Sequence, residues 1–138
     1  MLADRAMARE DRRACRTVLV VDADDACRRG VIKLLTRARY VTVHAASAVD
    51  ALDFFLHNRT LVACVVIDLA MPGTDGKPLF RALRDRAPHL PMLLTTGMPP
   101  GVDGYDALLD QRSELLLKPF SATDLVDAVD RLAMQGPT

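Results

Sequence analysis

The sequence predicts an α/β domain in which a doubly wound parallel sheet is covered by helices on both faces. Apolar stretches of strand length alternate with amphipathic stretches of helix length about five times along the 138 residues. Several of the strand-length stretches are apolar throughout, which is typical of strands buried on both faces of a sheet. Most of these stretches end at a polar residue or a turn sequence. Together these features indicate helix-strand alternation around a single parallel sheet.

The individual elements follow from short apolar runs, helix caps and breakers. The predicted strands are residues 18–21, 40–45, 61–68, 91–96 and 114–117. The predicted helices begin after the N-cap residues Asp24, Ser47 and Ser121, or span 76–87 and 105–111. Aspartate and serine are favoured caps because their side chains accept hydrogen bonds from free amides in the first turn. The helix at 105–111 is expected to be short, because prolines and glycines precede it.

One domain accounts for the length of the chain. Residues 1–16 contain five arginines and three acids among scattered apolar residues, which indicates a flexible or weakly helical N-terminal extension. Residues 17–135 then form the folded domain. No linker, internal repeat or second domain is indicated.

Composition argues against several classes of function. Eighteen basic residues balance eighteen acidic ones, so no overall charge favours DNA or an anionic membrane. Aromatic residues are scarce and tryptophan is absent, which disfavours a surface for stacking bases. The three cysteines lack metal-binding spacing and fit a reducing compartment. We therefore expect a cytoplasmic protein with no transmembrane segment, no membrane attachment and no direct DNA binding.

Four polar residues stand at the ends of predicted strands: Asp22, Asp68, Thr96 and Lys118. In an open parallel sheet, functional groups collect beyond the carboxyl ends of the strands, so these side chains are expected to converge. Two carboxylates can hold Mg²⁺, while a lysine and a hydroxyl can neutralise or hydrogen-bond phosphoryl oxygens. The set therefore favours phosphoryl transfer to a carboxylate.

The motifs around these positions resemble a known family. The run from Asp68 through Met71-Pro72 to Asp75-Gly76 is similar to the phosphoacceptor segment of two-component response regulator receiver domains, in the CheY-like superfamily. Lys118-Pro119-Phe120 occurs at the matching later place. The resemblance covers about residues 17–134. It implies a flavodoxin-like (βα)5 fold with the strand order 2-1-3-4-5, and a stand-alone receiver that signals by protein contact rather than a turnover enzyme.

The resemblance also implies a role for each site residue. Asp68 is the phosphoacceptor, which takes its phosphoryl group from the phosphohistidine of a histidine kinase or a histidine phosphotransfer protein. Asp22, Asp68 and the backbone carbonyl of Ala70 are the Mg²⁺ ligands. Thr96 is the switch hydroxyl, and Lys118 contacts the phosphoryl group. The peptide bond between Lys118 and Pro119 is expected to be cis, as is typical of the family.

One departure from the family pattern affects the metal site. The family places two adjacent acids after the first strand, whereas here Ala23 follows Asp22. The second acid normally binds the metal, so Mg²⁺ affinity is expected to be weak. Asp24 either reaches the metal or caps the following helix, and its residue type favours capping.

Other departures affect signal output and the lifetime of the phosphorylated state. Leu115 replaces the aromatic residue that often reports phosphorylation by rotating inward. Ala70 and Met98 stand where polar groups usually handle the attacking water, which predicts slow loss of the phosphoryl group. The family's output face would include residues around Leu109, Leu115 and Val126, and a downstream protein is the expected target.

Two alternatives remain open at the level of sequence. Ala23 also fits a binding module that keeps the fold without being phosphorylated. In addition, the apolar strand followed by Asp22-Ala23-Asp24 resembles the first motif of haloacid-dehalogenase-type phosphatases, with Asp22 as nucleophile and Asp24 as acid/base. A late acidic metal pair and room for a substrate cap are not evident, which disfavours the phosphatase.

Overall fold

The computed structural model describes residues 9–70, 76–98 and 105–134. Its strands are β1 (Thr17–Val21), β2 (Val41–Ala45), β3 (Val62–Asp68), β4 (Met92–Thr96) and β5 (Ser113–Leu117). Its α-helices are α1 (Arg9–Ala14), α2 (Asp25–Arg37), α3 (Ala48–His57), α4 (Lys77–Arg86) and α5 (Ala122–Ala133). A 3₁₀ turn, Tyr105–Leu108, precedes β5.

The five strands form one parallel sheet in the order β2-β1-β3-β4-β5. The predicted α/β fold class and strand order are therefore confirmed. After β1 the chain moves to the edge strand β2 and then returns to the other side of β1. The strand order thus reverses between β1 and β3, and a crevice opens at such a point beyond the carboxyl ends of the strands.

Each face of the sheet is covered by its own pair of helices. Alternate side chains of the central strands, such as Leu19 and Ile67, pack on one face against α3 and α4. Their neighbours, such as Val20 and Val66, pack on the other face against α2 and α5. Because both faces are covered, β1 is buried along its whole length, which explains its continuously apolar sequence.

The predicted caps fix where three helices begin. The side chain of Asp24 accepts the amide hydrogen of Cys27 at the start of α2. Ser47 accepts the amide hydrogen of Asp50 at the start of α3. At α5, Ser121 forms a reciprocal capping box, in which the side chain three residues later also accepts the amide of Ser121.

The described part of the N-terminal segment, expected to be flexible or weakly helical, is a short helix. Helix α1 is held against α5 because Arg13 donates hydrogen bonds from Nε and Nη2 to the Asp130 carboxylate, at 2.9 and 2.7 Å. Tyr40 donates to the same carboxylate from its hydroxyl. Arg13 is 9% exposed, so this ion pair is largely withdrawn from solvent. Residues 1–8 of the predicted extension lie outside the described part of the chain.

The segment predicted as a helix over 105–111 forms only one 3₁₀ turn. Beyond that turn, the Asp110 carboxylate accepts the Arg112 amide and pairs with Arg84 at 2.8 Å. The Asp110 amide donates to the hydroxyl of Ser113 at 2.8 Å. These side-chain bonds compete with a helical ladder and turn the chain directly into β5.

Within the described ranges, no helix combines the length and apolar character needed to cross a membrane.

Candidate functional site

Two carboxylates lie side by side where the strand order reverses. Val21 of β1 is the register partner of Ile67 of β3. Asp22 directly follows β1, and Asp68 is the last residue of β3. Asp22 is 4% exposed and Asp68 is 5% exposed. The structure therefore brings the two predicted acids together at one end of the sheet, largely out of water.

Burial and mutual repulsion raise the pKa of Asp22. Burial contributes most, and the neighbouring Asp68 carboxylate raises this pKa further. The hydrogen bond from the Asp24 amide and the charge of Lys118 act in the opposite direction. Two buried anions facing one lysine favour the entry of another positive charge.

Lys118 faces the predicted phosphoacceptor. Its Nζ lies 3.3 Å from Oδ1 of Asp68, although the two residues are distant in sequence. The Lys118 amide donates to the carbonyl of Thr96 at 2.7 Å, which ties the end of β5 to that of β4. The Lys118–Pro119 peptide bond is cis, as predicted.

Thr96 lies at the same end of the sheet. Its neighbour Thr95 is the register partner of Asp68, so Thr96 stands one residue further along β4. Thr96 is fully buried, and its hydroxyl accepts the amide hydrogen of Met98 at 3.0 Å. This hydrogen bond orients the hydroxyl oxygen but leaves its proton available to a second acceptor.

The two remaining predicted metal residues have different surroundings. The Ala70 amide donates to Oδ1 of Asp68 at 3.2 Å, so Ala70 lies beside the acceptor carboxylate. Asp24 caps α2 through Oδ1, while its own amide donates to Oδ1 of Asp22 at 2.9 Å. Capping is thus the role of Asp24 that the structure shows, and a metal contact from its second oxygen stays a prediction.

The donor set is compatible with Mg²⁺, and the weak affinity expected from Ala23 stays a prediction. Within residues 9–70, 76–98 and 105–134, no group of three or more His, Cys, Asp or Glu side chains could hold a metal. Two buried carboxylates and a carbonyl remain, and Mg²⁺ is satisfied by one or two carboxylates because it keeps several waters. Ala23 therefore leaves one carboxylate fewer than the family pattern has, and a Mg²⁺ site at these residues stays a prediction.

Arg28 belongs to this site but was missed from the sequence. Its Nη1 donates to the main-chain carbonyl of Asp22 at 2.8 Å, and its Nη2 donates to Asp25 at 2.6 Å. The only sequence signal for this contact was an arginine one turn into the helix that follows a strand-end acid. Such an arginine is usually solvated, so the signal is weak.

A cavity of about 610 Å³ adjoins Asp22, and a smaller one of about 410 Å³ lies elsewhere, next to α1 and α5. Asp22 and Lys118 form the polar end of the larger cavity, whereas Val31, Leu34 and Phe120 form apolar walls. The site is thus open on the side of α2. The sequence did not predict this opening.

A parallel sheet with a buried acid pair, a lysine and a hydroxyl at its carboxyl edge defines a receiver-type domain. A family model described as the response regulator receiver domain matches residues 18–130. The chain belongs to the response regulator receiver domain family.

Curated relatives agree with this assignment. The sensor kinase CckA of Brucella abortus (strain 2308) is 33% identical over 116 residues, which is 84% of this chain and 12% of that protein. The response regulator protein FleR of Pseudomonas aeruginosa is 35% identical over 117 residues, covering 85% of this chain and 24% of that protein. The chain therefore spans only a minor part of the length of these two relatives.

Solved structures show the same fold. A response regulator receiver domain protein from Clostridium thermocellum has a TM-score of 0.79 and 24% identity, covering 86% of this chain and 94% of that one. A putative response regulator from Chloroflexus aurantiacus J-10-fl has a TM-score of 0.76 and 28% identity, covering 87% and 98%. The predicted family resemblance is confirmed, and the family match disfavours the haloacid-dehalogenase-type alternative.

Proposed function

We propose that this receiver domain accepts a phosphoryl group on Asp68 from the phosphohistidine of a histidine kinase or a histidine phosphotransfer protein. The observation that carries the proposal is the 3.3 Å approach of the Lys118 amine to the Asp68 carboxylate. Membership of the receiver family makes it a signalling module of two-component systems. A receiver domain from the hybrid histidine kinase CckA is among its structural neighbours, with a TM-score of 0.70 and 25% identity.

The proposed reaction moves one phosphoryl group between two side chains. An oxygen of Asp68 attacks phosphorus, the bond from phosphorus to the donor imidazole nitrogen breaks, and that nitrogen keeps the electron pair. The product is an acyl phosphate on Asp68 and a free histidine on the donor. Mg²⁺ held by Asp22, Asp68 and the Ala70 carbonyl would supply positive charge beside the phosphoryl oxygens.

The residues of the chain itself have separate roles in this step. Lys118 already faces Asp68 and contributes charge to a phosphoryl oxygen as negative charge accumulates there. Thr96 donates its hydroxyl proton to another phosphoryl oxygen, while its oxygen keeps the hydrogen bond from the Met98 amide. Because Thr96 is fully buried, this contact draws the end of β4 towards the phosphoryl group.

The phosphorylated state is proposed to signal by protein contact. The expected output face lies around Leu109, Leu115 and Val126, which are all half-buried. We propose a downstream protein target, no direct contact with DNA, no membrane attachment and a cytoplasmic location. The fold supports such contacts because the fifth strand is an edge strand beside α5.

A phosphotransfer assay tests the proposal. Incubation with radiolabelled acetyl phosphate, and separately with a phosphorylated histidine donor, should label the wild-type protein in Mg²⁺ and much less in EDTA. Asp68→Asn should abolish the label, and Lys118→Ala should lower the labelling rate by about a hundredfold. Arg81→Ala, which removes an exposed cation from α4, provides the control and should label at the wild-type rate. Equal labelling of Asp68→Asn and wild type would refute the proposal.

A second function is favoured by one residue. Ala23 removes an acid that the family uses to bind metal, which fits a binding module that works without phosphorylation. That alternative predicts no label from either donor, and partner binding that Asp68→Asn leaves unchanged. A labelled wild-type protein whose partner binding depends on Asp68 excludes it.

The lifetime of the acyl phosphate is a further part of the proposal. Ala70 and Met98 offer no polar side chain to orient an attacking water near the site. We therefore expect slow hydrolysis of the purified phosphoprotein. Loss of the label within seconds, without any added phosphatase, would contradict this expectation.

A further inference from the structure

The guanidinium of Arg28 is attached to the main chain of the predicted metal ligand Asp22. Its Nη1 donates to the Asp22 carbonyl at 2.8 Å, and its Nη2 donates to Oδ1 of Asp25 at 2.6 Å. The Arg28 side chain is 12% exposed, whereas that of Asp25 is 69% exposed. The guanidinium thus lies inside the turn between β1 and α2 and not on the surface of the helix.

Asp22 is restrained at three points. Its amide donates to the carbonyl of Ala45 at 3.2 Å, which holds it to β2. Its carbonyl accepts from Arg28, and its Oδ1 accepts from the Asp24 amide at 2.9 Å. Of these three contacts, the one from Arg28 comes from a side chain, so a substitution can remove it without changing the backbone.

Arg28 occupies its position at an energetic cost. Its Nε is buried and has no hydrogen-bond partner among the residues that the structure describes. A buried donor left without a partner destabilises the folded state, and more so when the group is charged. The pair with the exposed Asp25 carboxylate offsets little of this cost, because exposed ion pairs are weak. Stability of the fold therefore does not explain why the Arg28 side chain is buried at this position.

The absence of a second acid at Ala23 gives that explanation. Among the described residues, Asp22 and Asp68 are then the two buried carboxylates at this edge of the sheet, so a small displacement of Asp22 is expected to have a large effect on cation binding. Groups that orient metal ligands without touching the metal commonly change its affinity by about 10- to 100-fold.

We propose that Arg28 is a positioning residue, which holds Asp22 in the orientation that binds Mg²⁺. This inference rests on the proposed function, because it assigns a support to the same metal site. Arg28 acts through the Asp22 carbonyl, and its guanidinium pairs with the Asp25 carboxylate.

Mg²⁺ titration of the unphosphorylated protein, followed by amide NMR shifts of the folded form, tests the inference. Arg28→Met removes both hydrogen bonds and keeps most of the aliphatic stem; it should raise the Mg²⁺ dissociation constant about tenfold. Arg29→Met removes the same charge from an exposed neighbour and should change it less than about twofold. Asp25→Ala leaves the carbonyl contact and should also have a small effect.

A dissociation constant for Arg28→Met within twofold of wild type, or an equal loss of affinity in Arg29→Met, would overturn the inference. Hydrogen exchange provides a readout that needs no metal. The Asp24 amide donates to the Asp22 carboxylate, so a less restrained Asp22 should protect this amide less well. In Arg28→Met the Asp24 amide should exchange about tenfold faster, relative to core amides of β3. Unchanged Asp24 exchange would also reject the positioning role. Failure of wild type to bind Mg²⁺, with faster Asp24 exchange in the variant, would instead refute only the metal part of the proposed function.

Discussion

The carboxylate of Asp130 holds helix α1 on the domain, and its removal is expected to be among the most destabilising changes outside the core. It accepts two hydrogen bonds from Arg13 and one from the hydroxyl of Tyr40. The side chains of Arg13 and Asp130 are 10% and 16% exposed, so solvent replaces these bonds poorly. Asp130→Ala therefore removes three charge-assisted bonds and leaves a guanidinium and a hydroxyl without their acceptor.

A hydrogen bond to a charged group contributes about 1.5–3 kcal/mol, but partial rehydration of Arg13 offsets much of the total. We expect Asp130→Ala to lower the free energy of unfolding by about 2–4 kcal/mol. For a domain of this size, that corresponds to a melting temperature lower by about 6–15 °C. Asp130→Asn keeps the size and can still accept from Tyr40, so about half of this loss is expected.

Urea unfolding and thermal melts followed by circular dichroism measure these differences. Asp127→Ala is the matched control, since it removes an exposed carboxylate from the preceding turn of α5 and should change stability by less than about 0.5 kcal/mol. Arg13→Met should lower stability less than Asp130→Ala, and the two effects should not add in the double variant. Equal stability of Asp130→Ala and Asp127→Ala would refute the reasoning.

The Asp130 effect also depends on pH in a defined direction. Burial alone would raise the pKa of Asp130, but the bonds from Arg13 and Tyr40 outweigh it and hold the pKa below its ordinary value. The contribution is therefore fully present above the unfolded-state pKa of about 3.9 and is lost as pH falls through the lower folded-state value. The difference between wild type and Asp130→Asn should be constant from about pH 7 to 5 and shrink below about pH 4.

Three further predictions follow from other parts of the structure. Gly76→Ala should destabilise the protein by about 1–3 kcal/mol, because an added Cβ would lie 2.9 Å from the Leu69 side chain. Gly30→Ala should instead stabilise α2 by up to about 1 kcal/mol, because its Cβ would meet no described atom within 4 Å. Chemical denaturation of the two variants compares these effects. Burial raises the pKa of the Cys64 thiol to about 12, so a thiol reagent near neutral pH should modify the other two cysteines quickly and Cys64 only on unfolding. Mg²⁺ at about ten times its dissociation constant should stabilise the wild type by about 1.4 kcal/mol in thermal melts, and Asp68→Asn or EDTA should remove this gain.

The sheet and the positions of the acids could be predicted because both depend on local patterns. A strand buried on both faces needs a continuously apolar sequence, so β1 and β3 were recognisable without any partner. Their ends then placed Asp22 and Asp68 on one edge of the sheet. The receiver resemblance supplied the strand order, which periodicity alone does not determine.

The contacts that were missed join residues without a shared local pattern. Arg13 and Asp130 are 117 positions apart, and neither an arginine in a polar segment nor an aspartate in an amphipathic helix indicates a buried pair. The role of Arg28 could not be predicted, because a hydrogen bond from a side chain to a main-chain carbonyl has no sequence signature. The short turn at Tyr105–Leu108 was overpredicted as helix because side-chain bonds of Asp110 compete with that helix.

The anchoring of α1 has a practical consequence for where this domain is cut. A fragment trimmed to the match with the family model would start at residue 18 and discard Arg13. The remaining protein would keep Asp130 and Tyr40 but lose the Arg13 guanidinium that shields the Asp130 carboxylate from solvent. The part of α5 that carries Asp130 would then be exposed. A fragment meant to represent the native domain should therefore start no later than Arg9.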